Sequence, residues 1–190
     1  NASNTDNILA WINQYKKSFN ININFMNESH SLIALQGPKS REILNKICSD
    51  NIDLSFYNFM ETNLLSDPVI LTRTGYTGEL GFEISAPHNI IQKLWDYFIN
   101  NGASPAGLAV RDVLRMEMKY CLYGNDISTA TNPLEAGLSW IVNFDKGNFL
   151  GRDNLLKSKN NDYQRRLIGF EMTEKAIPRT GYSVYIDCNN

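Results

Sequence analysis

Three glycines at three-residue spacing interrupt the strand-forming residues of one stretch, which reads Thr72-Arg73-Thr74-Gly75-Tyr76-Thr77-Gly78-Glu79-Leu80-Gly81-Phe82-Glu83-Ile84. Glycine at such positions permits a positive φ or a close approach by another group. The spacing is not that of a phosphate-binding GxGxxG loop, and no GKS or GKT triplet follows. The stretch therefore predicts one of two structures: a tight hairpin whose glycines serve the turn, or a strand with room for a ligand beside a carboxylate.

That carboxylate belongs to Glu83. Side chains alternate between the faces of a strand, so Glu83 shares one face with Glu79 and Gly81, opposite Phe82 and Ile84. A carboxylate on a rigid strand can pair both oxygens with a planar edge that carries two N–H donors, such as a 2-amino-4-oxo-pterin or guanine. The alternative interpretation is an exposed glutamate on a solvated strand face.

A second candidate lies in a helical pattern, which reads Gly107-Leu108-Ala109-Val110-Arg111-Asp112-Val113-Leu114-Arg115-Met116-Glu117. Arg111 and Arg115 are four residues apart and share one helix face, where like charges repel unless an anion faces them. Asp112, three residues before Arg115, offsets part of this repulsion. The pattern indicates either a guanidinium that holds a carboxylate or polar ligand edge, or an ion-paired surface helix.

Helical and strand-like patterns form mixed blocks on both sides of these two stretches. Apolar residues at helical spacing predict four helices, over 7–17, 39–48, 89–100 and 105–119. Alternating or apolar runs predict five strands, over 22–25, 31–36, 56–62, 69–74 and 79–85. The first two strands have the pattern of a hairpin, and Pro38 fits the first position of the second helix. Because strands and helices do not alternate strictly, the predicted fold class is α+β.

The pattern changes beyond Asn125. Residues 132–135 have a capping-box arrangement, with an asparagine N-cap, a proline at the first helical position and a glutamate three residues after the cap. A charged, polar stretch over 157–166 then precedes a strand-like run over 167–172. We therefore predict a domain boundary in that polar stretch, with domains over 1–158 and 159–190.

Composition excludes several functional classes. The 190 residues carry a formal net charge of -2, and the basic and acidic residues are mixed along the chain, so no cationic face for nucleic acid is expected. No apolar stretch approaches the roughly 18 residues that indicate a membrane span. The cysteines and histidines lack the spacing of a metal site or disulfide framework, so we expect no metal and reduced thiols. Because the sequence begins without Met and stops in a strand-like run, we expect both ends to be truncations.

Six segments in this order resemble the aminomethyltransferase family, the T-proteins of glycine cleavage systems. They are Leu35-Gln36-Gly37-Pro38, the glycine-rich stretch over 74–83, Gly107-Leu108-Ala109-Val110-Arg111-Asp112, Cys121-Leu122-Tyr123-Gly124-Asn125-Asp126, Thr131-Asn132-Pro133-Leu134-Glu135-Ala136-Gly137-Leu138 and Lys146-Gly147-Asn148-Phe149-Leu150-Gly151. The resemblance extends over nearly the whole chain. Each segment alone is a weak signal, but their order makes the set specific.

The resemblance implies an activity and a fold. Members of this family transfer the one-carbon unit of an aminomethyl group from the lipoyl arm of the H-protein to tetrahydrofolate, which gives 5,10-methylenetetrahydrofolate, ammonia and dihydrolipoyl H-protein. Tetrahydrofolate is the acceptor, and no metal is needed. The family fold places ferredoxin-like α+β units and a C-terminal β-barrel around a folate channel. By this likeness, residues 1–158 cover parts of two folate-binding α+β domains, and residues 159–190 contain the first strands of the barrel.

The resemblance also implies site residues. Glu83 corresponds to the pterin-binding glutamate of the family, Arg111 to its folate-site arginine, Tyr76 to a tyrosine that lines the pterin pocket, and Asn1 to an asparagine near the folate. Arg115 has no counterpart of this kind. The family's catalytic aspartate would precede Asn1, so we expect no catalytic residue within this sequence and little or no turnover by the 190-residue chain alone.

The same segments also resemble two other kinds of folate-binding protein, which are alternative interpretations. One is the folate-binding half of a dimethylglycine or sarcosine dehydrogenase, which would be fused to a flavin domain. The other is a non-enzymatic folate-binding protein of iron–sulfur cluster assembly, whose signature needs a cysteine where this chain has Asn148. A bacterial cytoplasm is the expected location, and a mitochondrial matrix fits the reduced cysteines equally well.

Overall fold

A computed structural model of the chain describes residues 4–160 and 165–185. The chain divides into two compact units, Asn1–Asn125 and Asp126–Asn190. The domain boundary predicted between residues 158 and 159 lies inside the second unit. The division into domains over 1–158 and 159–190 stays a prediction.

The first unit is built on a four-stranded antiparallel sheet of order β1-β4-β3-β2. Its strands are β1 (His30–Gln36), β2 (Phe59–Leu64), β3 (Asp67–Thr72) and β4 (Gly81–Pro87). β2, β3 and β4 form a meander, and β1 pairs with the free edge of β4. Antiparallel strands with helices in separate blocks confirm the predicted α+β class.

Helices cover one face of this sheet. The helices of the first unit are α1 (Thr5–Tyr15), α2 (Ser40–Asn45), α3 (His88–Asn100) and α4 (Leu108–Glu117). α2 packs against β4, and α3 packs against β1 and β4. Alternate strand residues and one stripe of α3 meet in a core that includes the fully buried side chains of Leu44, Leu64, Leu71, Phe82, Ile84 and Leu94. The opposite sheet face therefore carries the other alternation of strand residues, which includes Glu83.

The turn between β2 and β3 is shorter than the sequence predicts. Leu65 and Ser66 alone connect the strands, and both have positive φ, at 52° and 71°. Two such residues in a two-residue loop form a type I′ turn, whose twist matches that of a hairpin. Pro68 precedes the strand predicted over 69–74, but it lies inside β3, beyond the part that pairs with β4. A proline is tolerated there because that edge of β3 needs no ladder donor.

Two local predictions are wrong. Residues 22–25 form no strand, so β1 has no hairpin partner there. Its partner is β4, whose Ile84 lies opposite Ile33 in the buried alternation of the sheet. The second error concerns Pro38, which is not the first helical residue: α2 begins at Ser40, with Lys39 as its N-cap.

The second unit contains the capping box but not a helix after it. The Asn132 side chain accepts hydrogen bonds from the amides of Leu134 at 2.9 Å and Glu135 at 3.0 Å, while the Glu135 carboxylate accepts the Asn132 amide at 3.3 Å. These reciprocal bonds are those of a capping box. A single turn follows and ends at Gly137, whose φ is 71°.

The predicted strand over 167–172 is not formed in the described part of the second unit, where the only helix is α5 (Arg152–Asn160) apart from a short 3₁₀ turn. Instead, the Leu167 amide donates to the Glu135 carbonyl at 2.8 Å. Arg165 donates to the Glu135 carboxylate at 3.1 Å, and this hydrogen bond lowers the pKa of Glu135, with the Asn132 amide as the next cause. A strand needs a neighbouring ladder, and the described residues of this unit supply none.

An acid-sensitive contact in the first unit gives a testable prediction. The Thr62 hydroxyl at 2.5 Å, and then the Ser49 hydroxyl at 3.0 Å, lower the pKa of Asp50 below its ordinary value of 3.8. Because the folded-state pKa is the lower one, the stabilisation is present above 3.8 and is lost as the pH falls through the folded-state value. We expect Asp50→Asn to reduce the acid dependence of the urea midpoint. Exposed Asp53→Asn serves as the control, and equal acid dependence in both variants would contradict the assignment.

Candidate functional site

Glu83 lies near the centre of the sheet, on the face opposite the core. It is half-buried on β4, between Ala34 of β1 and Thr72 of β3. Phe82 and Ile84, its neighbours on the strand, are both 0% exposed. The period-two prediction for the orientation of Glu83 is therefore confirmed, and the strand that carries it is held by pairing on both sides.

Two threonines hold the carboxylate and its strand. The Thr74 hydroxyl donates a short hydrogen bond to Oε2 of Glu83. The Thr72 hydroxyl lies 2.7 Å from that of Thr74 and 3.1 Å from the Glu83 carbonyl oxygen, to which it donates. A carboxylate has about four lone-pair sites on its two oxygens. Thr74 therefore fixes the orientation of Glu83 and leaves acceptor capacity on both oxygens.

The glycines near Glu83 accommodate side chains of this chain. A Cβ added to Gly75 or Gly81 would lie 2.1 or 2.0 Å from Oε1 of Gln36, and one added to Gly78 would lie 2.5 Å from Met118. Neither of the two structures predicted for this stretch, a tight hairpin or a strand with room for a ligand, describes these glycines fully. The segment is a longer bend in which only Gly78 has positive φ, and the space beside Gly81 is filled by Gln36 rather than left open.

Tyr76 lies in the same bend and is tied to the segment that follows α4. Its hydroxyl donates to the carbonyl oxygen of Cys121 at 2.5 Å, and its ring stacks on that of Tyr120 with centroids 5.8 Å apart. The resemblance implies that this tyrosine lines the pterin pocket. In this structure the hydroxyl has a backbone partner, so its contribution to binding would come from the ring.

Arg111 and Tyr76 are brought together. The Arg111 guanidinium carbon lies 5.2 Å from the Tyr76 ring centroid, a cation–π distance, and the arginine is exposed on the first turn of α4. Thr74 and Tyr76 are two residues apart, so this one bend contacts both Glu83 and Arg111. Asn1, the fourth predicted site residue, lies outside the described residues.

Arg115, to which the resemblance assigns no ligand contact, has a structural role in α4. The predicted apolar face of α4 is exposed, with Leu108 at 82% and Val110 at 47%, whereas Arg115 is 3% exposed. Its Nε donates to the Asp112 carboxylate at 2.8 Å, and Nη1 donates to the Tyr120 carbonyl at 3.1 Å. The spacing of Asp112 and Arg115 signalled the ion pair, but nothing local signalled burial.

Replacement of Arg115 should destabilise the first unit. In Arg115→Met, the carbonyl oxygen of half-buried Tyr120 loses a charged donor, which costs about 1–3 kcal/mol of unfolding free energy. Urea denaturation of the 190-residue chain would measure this loss. Arg111→Met, on the exposed face of the same helix, is the control, and equal midpoints for the two variants would contradict a structural role for Arg115.

A cavity of about 330 Å³ borders the bend. Its lining residues are Phe56, Arg73, Thr74, Gly75, Gly78, Glu79, Leu80, Gly81 and Tyr120. Of these lining residues, Thr74 is the one that donates the hydrogen bond to the Glu83 carboxylate. Glu83, Tyr76 and Arg111 are not among its walls, so this cavity adjoins the predicted site residues without enclosing them.

Among residues 4–160 and 165–185, no group of three or more His, Cys, Asp and Glu side chains is arranged to hold a metal ion. None of the helices in the described part of the chain combines the length and apolar character needed to cross a membrane.

Known proteins share both the sequence and the fold of this chain. The family of the GCVT N-terminal domain matches residues 1–146. The aminomethyltransferase of Halothermothrix orenii is 44% identical over 191 residues, which cover 97% of this chain and 53% of that protein. The aminomethyltransferase of Thermoanaerobacter pseudethanolicus is 42% identical over 193 residues, which cover 98% and 52%. The chain thus spans about half the length of the curated relatives it matches.

A solved structure agrees with this relationship. The crystal structure of glycine cleavage system aminomethyltransferase T from Bartonella henselae matches with a TM-score of 0.73 and 33% sequence identity, over 85% of this chain and 44% of that one. The family match includes the whole first unit, with β4 and the bend before it. From the family match, the sequence identity and the shared fold together, the chain belongs to the aminomethyltransferase family of glycine cleavage T-proteins.

Proposed function

We propose that the protein containing this chain is the aminomethyltransferase of a glycine cleavage system. It takes the aminomethyl group carried on the lipoyl arm of an H-protein and transfers the one-carbon unit to tetrahydrofolate. The products are 5,10-methylenetetrahydrofolate, ammonia and dihydrolipoyl H-protein. The observation that carries this proposal is the Glu83 carboxylate, held by Thr74 on the outer face of a central strand in a chain of this family.

Glu83 suits the pterin ring of tetrahydrofolate. The 2-amino group and the adjacent ring N–H form a planar edge with two donors, and the carboxylate offers two acceptor oxygens in a fixed orientation. Hydrogen bonds to a charged group contribute about 1.5–3 kcal/mol each. Because Thr74 already orients the carboxylate, little conformational entropy is lost when the ligand binds.

Tyr76 and Arg111 would complete the folate contacts of this unit. The Tyr76 ring offers an aromatic surface, and its hydroxyl bond to Cys121 restricts the motion of that ring. The guanidinium of Arg111 is exposed and lies against this ring, where it can donate to a carboxylate or a polar edge of the folate. Asn1 stays a proposed fourth contact on the strength of the resemblance.

The contribution of these residues to catalysis is orientation. Tetrahydrofolate and the lipoyl dithiol supply the one-carbon chemistry, and the protein holds the reacting nitrogen beside the aminomethyl group. Such fixed proximity can supply about 7–11 kcal/mol of the barrier. No residue of this chain is assigned a catalytic role, and the catalytic aspartate implied by the resemblance would precede Asn1.

The full-length protein, aminomethylated H-protein and tetrahydrofolate should together yield methylenetetrahydrofolate and ammonia. Product formation that needs the H-protein supports the proposal. Turnover of dimethylglycine or sarcosine without the H-protein would instead support a dehydrogenase, and folate binding without any turnover would contradict aminomethyl transfer. We expect the 190-residue chain alone to show little or no turnover in the same assay.

Loss of the Arg111 guanidinium should affect binding more than stability. In the full-length protein, we expect Arg111→Ala to weaken tetrahydrofolate binding by about 1.5–3 kcal/mol, since a charged donor is lost. The unfolding free energy should change by less than about 1 kcal/mol, because the side chain is exposed. Calorimetry and thermal unfolding of the same samples separate the two effects. A large fall in melting temperature with unchanged affinity per folded molecule would show that Arg111 is structural.

A further inference from the structure

Gln36, the last residue of β1, reaches two segments that are distant in sequence. Its Nε2 donates to the carbonyl oxygens of Thr74 and Phe82, each at 3.2 Å. Its Oε1 accepts the Thr77 hydroxyl, also at 3.2 Å. One half-buried amide therefore joins the end of β1 to both ends of the glycine-rich bend.

The space that this amide occupies exists because two residues lack side chains. A Cβ on Gly75 or Gly81 would approach Oε1 of Gln36 to 2.1 or 2.0 Å. Neither glycine has positive φ, so backbone conformation does not require glycine at either position. Close packing of the Gln36 side chain is the physical reason why both positions are glycine.

The two carbonyl groups bound by Gln36 flank the hydrogen bond that orients the predicted pterin-binding carboxylate. Thr74 donates to the Glu83 carboxylate, and Phe82 directly precedes Glu83 on β4. Fixing both backbone positions fixes the donor and the acceptor relative to each other. We propose that Gln36 is a positioning residue for Glu83: it sets the carboxylate toward the amidine-like edge of the pterin without touching the ligand. This inference rests on the proposed folate site.

A near-isosteric variant of the full-length protein tests the inference. Gln36→Met keeps the length of the side chain and removes both donors and the acceptor. We expect calorimetry to show tetrahydrofolate binding weakened about tenfold at an unchanged number of sites. Gln92→Met, an exposed glutamine on α3, is the matched control and should keep full affinity. Misfolding would appear as fewer sites rather than as weaker binding.

A double-mutant cycle separates positioning from an independent contribution. If Gln36 acts through Glu83, the Gln36→Met change should have little further effect on affinity in a Glu83→Gln background. Losses that add fully would show that Gln36 acts elsewhere and would overturn the inference. Gly81→Ala should reproduce the weaker binding, because its methyl group displaces the Gln36 amide.

The same measurements distinguish this inference from the function on which it rests. Unchanged folate affinity in Glu83→Gln removes Glu83 from the site, and with it the proposed contact. Weaker binding in Glu83→Gln together with wild-type affinity in Gln36→Met overturns the positioning role alone. Wild-type affinity in Gly81→Ala would likewise contradict the need for the Gln36 amide at this place.

Discussion

Glu83→Ala in the full-length protein should weaken tetrahydrofolate binding by about 2–4 kcal/mol, or roughly 30- to 700-fold. The variant removes a charged acceptor and leaves two donors of the bound pterin without a partner. Glu83 and its partner Thr74 are both half-buried rather than part of the core, so the fold should tolerate the change. Isothermal titration calorimetry of wild type and variant measures the difference directly.

Glu61→Ala is the matched control for this result. Glu61 lies on β2, on the same outer face of the sheet, and is exposed. It should keep wild-type affinity, which would exclude a general effect of charge on that face. Glu83→Gln adds a finer comparison, because the amide keeps the shape and loses the charge. If Glu83→Ala and Glu61→Ala bind tetrahydrofolate equally well, Glu83 is not the pterin contact.

Phe82→Ala should lower the unfolding free energy of the first unit by about 3–5 kcal/mol. Phe82 is 0% exposed on β4. The guanidinium carbon of Arg41 lies over its ring, 5.9 Å from the ring centroid. Truncation loses the transfer free energy of the ring and leaves a cavity that the paired strands cannot close. Urea denaturation of the 190-residue chain, followed by circular dichroism, measures the loss.

Two comparisons make the Phe82 result interpretable. Phe59→Ala, on the same sheet with a side chain that is 68% exposed, should change stability by less than about 1 kcal/mol. Phe82→Leu retains most of the buried volume and provides a folded reference if Phe82→Ala is too unstable to study. Similar losses for Phe59→Ala and Phe82→Ala would contradict the assignment of Phe82 to the core.

The parts of the fold that depend on local periodicity were predictable. Alternation along β4 placed Glu83 opposite Phe82 and Ile84, and the structure confirms it because one face of a paired strand must be buried. The spacing of apolar residues over 89–100 predicts α3, whose buried residues are Ile90, Leu94 and Phe98. Trp95 is 45% exposed, because an amphipathic helix buries one stripe and leaves other positions in water.

The errors concern features that local pattern does not determine. β1 pairs with β4 instead of residues 22–25, because the register is set by burial of Ile33 and Ile84 against the helices. In α4 the spacing of apolar residues predicts the helix but not its buried residue, which is Arg115. Its guanidinium donates to a carboxylate of the same helix and to the carbonyl oxygen of a residue beyond the helix.

The candidate site was predictable as residues but not as an arrangement. The sequence contained Glu83, Tyr76 and Arg111, and the structure adds the contacts that Thr74, Tyr120 and Cys121 make with them. From sequence alone, the glycines predict space for a ligand, because no residue near them in the sequence fills it. The residue that fills part of it lies 46 positions before Phe82, and only the pairing of β1 with β4 brings it there.

That pairing has a kinetic consequence. β2 and β3 are joined by two residues and can close quickly, whereas β1 must find β4 across the entire meander. Loop-closure entropy delays contacts of such separation. We therefore expect β1 to join the sheet last, so that Gln36 reaches Thr74 and Phe82 only when the sheet is complete. During refolding, ligand binding should then recover at the rate of the last step, in which β1 joins the sheet, and not at the faster rate of hydrophobic collapse.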